Sequence, residues 1–274
     1  MERLKKLYAE LCENVFLKES KYKETRLSSF VAMRGKNYKE DNTVRFMVVG
    51  RAVNGWGESM SQESAEEYAE EAVKLFEDPN RFQTEWDMRL ENDEPYSEYT
   101  VLDDDGNPVI QNGKAVKKRY YLSKSPFWST TLGIYKKLSG SEKSDCYEDI
   151  VWNNIYKVAP LKEGNPSTNL IYAQAKTCVK ILREEIRLLN PTHILLVIDK
   201  SWISWTSRNK VMFDFMKAFE GYECCCRALN DPEKSIVQCA FEADGRKVLV
   251  TCRPEGVARD KYINAVIDAF GKMK

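Results

Sequence analysis

The chain has 274 residues with 42 basic and 42 acidic side chains, so no global field draws it to nucleic acid and any such binding needs a local patch. Hydrophobic residues make up 43% and aromatic ones 11%, enough for a sizeable core, which argues against a disordered chain. No apolar run approaches the ~20 residues that span a bilayer, and the opening Met-Glu-Arg-Leu-Lys-Lys leads into an amphipathic stretch rather than an apolar signal core. The expectation is a cytoplasmic protein with no membrane partner.

Eight cysteines fall at 12, 146, 178, 224, 225, 226, 239 and 252, with no Cys-x-x-Cys pair and a single histidine, His193. That pattern speaks against a zinc site and against a disulfide framework. Small buried thiols in a reducing compartment are the simpler reading, and neither metal nor cofactor is expected.

Residues 2–17 place Leu4, Leu7, Leu11 and Val15 on one helical face, and 18–43 read as a polar connection. Phe46-Met-Val-Val-Gly50 is short, apolar and rich in Val, which suits a strand buried on both faces. In an open parallel sheet ligands lie beyond the carboxyl ends of the strands, so the loop from Gly50 to Gly57 is expected to line a site. Its glycines let a ligand approach the backbone closely, and Asn54 is its uncharged polar side chain.

Ser64-Ala-Glu-Glu67 forms a capping box for a helix to about Glu77, and Arg81 to Leu90 can form another. Residues 97–122 read as short strands around tight turns at Asp103–Pro108 and Asn112-Gly113. The last arm carries Lys117, Lys118 and Arg119 beside Tyr120 and Tyr121, a basic and aromatic cluster. It is either a nucleic-acid contact or a charged edge that resists aggregation.

Ser125-Pro126 starts a helix whose buried face includes Trp128. Val151 to Pro160 is a second strand, Ser167 caps a helix from Thr168 to Leu189, and Asn190-Pro191 stops it before the third strand at 193–199. A helix over 208–219, strands over 222–228 and 236–242, a hairpin turn into Lys247–Cys252 and a closing helix complete the chain. Alternating strands and helices indicate an α/β domain with a mostly parallel sheet. One domain over 1–274 is expected, with an inserted hairpin region at about 81–124.

Nucleotide loops fit poorly. A P-loop needs Lys and Ser/Thr after its second glycine, where Trp56 and Gly57 stand, and the Rossmann spacing meets Met60 in place of its last glycine. A Ser/His/Asp triad is excluded because His193 begins its strand, at the wrong end of a parallel sheet.

Four stretches resemble the uracil-DNA glycosylase superfamily, nearest to its single-strand-selective and mismatch-specific types. They are Val48-Val-Gly50 with its loop, Asn154-Ile-Tyr-Lys-Val-Ala-Pro160, Asn190-Pro-Thr-His-Ile-Leu-Leu-Val, and Thr251-Cys-Arg-Pro-Glu-Gly. The resemblance spans about 44–60 and 125–272. It implies a three-layer α/β/α fold with a central four-stranded parallel sheet. It also implies metal-independent N-glycosidic cleavage of a flipped uracil-like or damaged base in DNA. In that scheme Asn54 positions the water, Asn154 reads the base edge, and Arg253 neutralises the departing base, with Gly50 lining the pocket. Trp56, Phe127 or Trp128 supplies a stacking ring, and Lys117, Lys118 and Arg119 meet the phosphates.

The chain departs from the family in several places. Asn54 lies two residues beyond the family's catalytic position, where Ala52 falls, and Arg253 replaces a His. The span between the first two strands is long, and no cysteine pattern matches an iron–sulfur cluster. A catalytically inactive nucleic-acid or nucleotide binding module on the same fold is the alternative.

Overall fold

The computed structural model describes residues 1–17, 27–52, 60, 64–91, 97–100, 107–122, 124–160, 165–199, 202, 204–207, 210–219 and 235–273. Helix α1 (Glu2–Cys12) runs into one π turn at Glu13–Leu17 and buries Leu4, Leu7, Tyr8, Leu11 and Cys12 as a single stripe. Strands β1 (Leu27–Ser29), β2 (Met33–Arg34) and β3 (Phe46–Gly50) follow, the last buried along its whole length. Helix α2 (Ala65–Glu77) begins where Ser64 Oγ accepts from Glu67 N at 3.1 Å, and α3 (Arg81–Glu91) buries Phe82 and Trp86.

Strands β4 (Ser97–Thr100), β5 (Ile110–Gln111), β6 (Lys114–Ala115) and β7 (Lys117–Tyr120) form two small ladders, β4 with β7 and β5 with β6. The β5–β6 turn is Asn112-Gly113, both at positive φ as a tight hairpin requires. Helix α4 (Pro126–Ser139) precedes β8 (Val151–Asn154) and β9 (Val158–Pro160). Helix α5 (Thr168–Leu189) starts at the Ser167 cap and ends on Asn190 in the left-handed region. Then come β10 (His193–Val197), β11 (Ser204–Ser207), β12 (Lys210–Asp214), β13 (Val237–Ala243), β14 (Arg246–Thr251) and α6 (Arg259–Gly271).

The main sheet has six strands in the order β13-β14-β10-β3-β8-β2. Its inner neighbours β14, β10, β3 and β8 run parallel, while β13 and β2 pair antiparallel at the edges. The sheet is thus mixed and wider than the four parallel strands that the sequence led us to expect. Edge strand β13 folds back from β14 through the Asp244-Gly245 turn, and β2 comes from a stretch that reads as a polar connection. Both sheet faces are covered, as adjacent residues of β8 show. The Trp152 ring lies 5.0 Å from that of Trp128 on α4, and Asn153 Nδ2 donates to Glu185 Oε2 on α5 at 2.9 Å. On the first face α4 packs with α6; α1 packs with α2 and α5.

Three further expectations are corrected. Residues 27–34 belong to the core: Phe30, Val31, Ala32 and Met33 are buried, and β1 pairs with β9. The stretch Val151–Pro160 is two strands in different sheets, because the chain turns Lys157 inward after Asn154. The helix read over 208–219 is instead β12 followed by one 3-10 turn, Phe215–Ala218, capped by Asp214. Val211, Met212 and Phe213 carry enough β propensity to join β11 there. The strand read over 222–228 lies outside the described residues. Cys12, Cys146, Cys178 and Cys239 are buried and Cys252 half-buried, all as free thiols. Burial pushes the Cys12 thiol up to about 11 and Cys178 to about 12.

Candidate functional site

The carboxyl ends of β3 and β8 meet at Gly50 and Asn154, which are register partners. A Cβ on Gly50 would collide with Asn154 Oδ1, so glycine there makes room for the amide. Asn154 is 1% exposed, yet among the described residues its Nδ2 has no hydrogen-bond partner. A buried amide N–H left unmade costs about 1–3 kcal/mol. Such a group, at the sheet edge where α/β proteins bind ligands, calls for an acceptor that the described residues do not supply.

Next along this edge is Arg51. Its Nε donates to Ile198 O at 2.9 Å, its Nη2 pairs with Asp199, and its guanidinium lies 4.8 Å from the centre of the Trp202 ring. Burial first, then the nearby Arg253 charge, lowers the Arg51 pKa to about 10, with Glu255 opposing. Arg51 therefore stays charged at neutral pH. Asp199 sits in the left-handed region, φ 61°, held by its N–H to Thr251 O and by Trp202 N donating to its carbonyl. A non-glycine residue there is strained, a feature often found at functional sites. The Tyr156 ring stands edge-on to Trp202 at 6.0 Å, completing an aromatic wall.

Arg253 lies two residues beyond β14 and forms an ion pair with Glu255 on its own loop. Behind that loop, Tyr262 donates to Cys252 O at 2.8 Å and meets Thr251 Oγ1 at 2.6 Å. Strand order separates Arg253 from Asn154 by three steps, β14 to β10 to β3 to β8. At ~4.8 Å per step the strand axes are roughly 14 Å apart. The two residues share an edge but are not neighbours, and Arg51 stands between them.

Asn54 and Trp56 lie outside the described residues. Trp128 is buried with its ring against Phe82, Trp86 and Trp152, so its contacts are those of a core side chain. Phe127 is half-buried and edge-on to Trp128 at 5.0 Å. Lys117, Lys118 and Arg119 lie in β7 opposite Thr100, Tyr99 and Glu98. His193 opens β10, at the amino end of the sheet and away from this edge.

Sequence reasoning missed Arg51, although an arginine straight after a strand-ending glycine was the available signal. It also missed the buried cluster behind Asn154, where Lys157 Nζ pairs with Glu185 Oε2 at 2.7 Å and both side chains are wholly buried. Among the described residues no group of three His, Cys, Asp or Glu side chains is placed to hold a metal. No helix among them is long and apolar enough to cross a membrane. No protein-family model matches the chain, and no curated protein matches it either.

Proposed function

We propose that this chain is a uracil-DNA glycosylase-like protein whose carboxyl sheet edge receives a uracil-like base extruded from DNA. The observation that carries this reading is the unpartnered, buried amide of Asn154 beside Gly50. Its Nδ2 needs an acceptor and its Oδ1 can take a donor, which matches the adjacent carbonyl and N–H on the edge of uracil. Cytosine offers an amino group where uracil has that carbonyl, so it leaves the Asn154 donor unmet. On this reading Asn54 holds the attacking water and a cation at the same edge offsets charge on the departing base, without a metal.

A second reading keeps the base-binding edge and drops the reaction. It is favoured by Arg253, which is engaged by Glu255 and stands about three strand spacings from Asn154. Single- and double-stranded oligonucleotides with one uracil test both readings, scored for abasic sites and, by anisotropy at low salt, for binding. Cleavage at uracil supports the enzyme. Uracil-dependent binding without cleavage supports the binding module, and the absence of both cleavage and uracil-dependent binding rejects the base-reading edge.

A further inference from the structure

We infer that Asn153, Lys157 and Glu185 are positioning residues that fix the main chain of Asn154. Asn153 is wholly buried one residue before it. Asn153 Oδ1 accepts from Lys157 Nζ and, at 2.7 Å, from the Asn154 backbone N–H, while Asn153 Nδ2 donates to Glu185 Oε2. The amide can sit only one way round: an ammonium can only donate and a carboxylate can only accept.

Strand geometry shows why Asn154 needs this partner. Successive N–H groups of β8 point to opposite neighbours, and Ile155 N–H goes to Gly50 O on β3, so Asn154 N–H faces the β2 side. There β2 pairs only with Val151 and Trp152 and has already ended. The Asn153 side chain takes the place of the missing strand. Glu185 is itself saturated, since Tyr8 OH at 2.9 Å and Ala32 N at 3.4 Å reach its other oxygen. Lys157 also sits over the Phe30 ring, 5.7 Å from its centre.

A buried ion pair gives little stability beyond an apolar pair of the same size. What an apolar pair could not supply is the fixed orientation of Asn153, and through it the strand end that carries the unpartnered Asn154 amide. The consequence for ligand rests on the base-reading role given above to Asn154; the positioning itself does not.

Two variants test it in the full chain. Asn153→Ala leaves the Lys157–Glu185 pair intact and removes only the link. Lys157→Met with Glu185→Gln removes both charges and leaves Asn153 facing an amide that can present either its oxygen or its NH2, so nothing compels the Asn153 orientation. In both, hydrogen exchange at the Asn154 backbone amide should quicken by roughly tenfold, the worth of one net hydrogen bond. Exchange at Val48 and Leu195 should stay at the parent rate. Parent-like exchange at Asn154 in both variants overturns the inference. So does equal acceleration at all three amides, which would mean that the cluster only holds the fold. If the parent binds a uracil strand, both variants should bind it more weakly. If the parent binds none, the proposed function fails while the exchange result still decides the positioning.

Discussion

Gly50 and Asn154 face each other where two inner strands end, and the absent Cβ of one gives space to the amide of the other. Gly50→Ala forces a methyl against Asn154 Oδ1, and overpacking of that kind costs about 1–3 kcal/mol. A lower melting temperature and loss of uracil-strand binding are the expected outcomes. Parent-like values for both would show that Asn154 swings aside freely and has no fixed reading geometry. Asn154→Asp should relax discrimination between uracil and cytosine, whereas Asn154→Ala should lose binding to both; a competition titration separates the two. His193, the single histidine, gives a pH prediction. Its Nδ1 lies 2.9 Å from Thr192 Oγ1 and its ring is edge-on to Phe270. Burial, with Lys247 second, lowers its pKa from 6.5 to about 4. Between those values the unfolded chain holds a proton that the folded chain does not. The stability contribution is therefore whole above about 6.5 and is lost as pH falls through the window toward 4. Partial exposure limits the loss to on the order of 1–2 kcal/mol. His193→Gln should flatten that part of the stability profile, and the single imidazole resonance should titrate near 4. A titration near 6.5 would remove the basis for the prediction.

At the scale of elements, the Lys157–Glu185 pair ties the turn between β8 and β9 to α5. Removing one partner strands the other charge in the core, so Glu185→Ala should cost about 3–5 kcal/mol in urea unfolding. The charge-free Lys157→Met/Glu185→Gln protein should lose less; an equal or larger loss would mean that the pair itself is strongly stabilising. None of this was read from the sequence, which placed Lys157 inside a single strand over 151–160 rather than at an inward turn between two. A signal was nonetheless present. Gln174 and Glu185 fall in step with Cys178 and Ile181 on the buried stripe of α5, where a charge has to find a partner. Elements marked by local chemistry were legible: Ser64, Ser125 and Ser167 each accept from a backbone N–H three residues on, and Asn190 closes α5. Elements that depend on a distant partner were not. Residues 27–34 become strand and core through β8 and β9, and β12 exists because β11 lies beside it. The site was half legible for the same reason. Gly50 marks a strand end in the sequence and Asn154 came from the resemblance, whereas the Arg51 clamp depends on Asp199 and Trp202, far along the chain.

For the whole molecule, 42 positive and 42 negative charges leave no net attraction to DNA, so affinity must come from where charges are placed. The described residues of the carboxyl edge do not supply it alone, since Arg51 is matched by Asp199 and Arg253 by Glu255. The densest basic run lies instead at 114–124, on the β6 and β7 arms, with Glu98 the acidic register partner of Arg119. If DNA lies across both, the base-reading edge confers selectivity and the hairpin confers affinity, and the two should respond differently to salt. Each phosphate neutralised adds about 0.9 to the log–log salt slope for duplex and about 0.7 for a single strand. Replacing Lys117, Lys118 and Arg119 together by Ala should therefore flatten the slope by roughly two to three units while leaving the preference for uracil over cytosine unchanged. Asn154→Asp should do the reverse, altering the preference at constant slope. An unchanged slope in the triple variant would make the hairpin a charged edge that keeps its strands from pairing with other chains, with no part in binding.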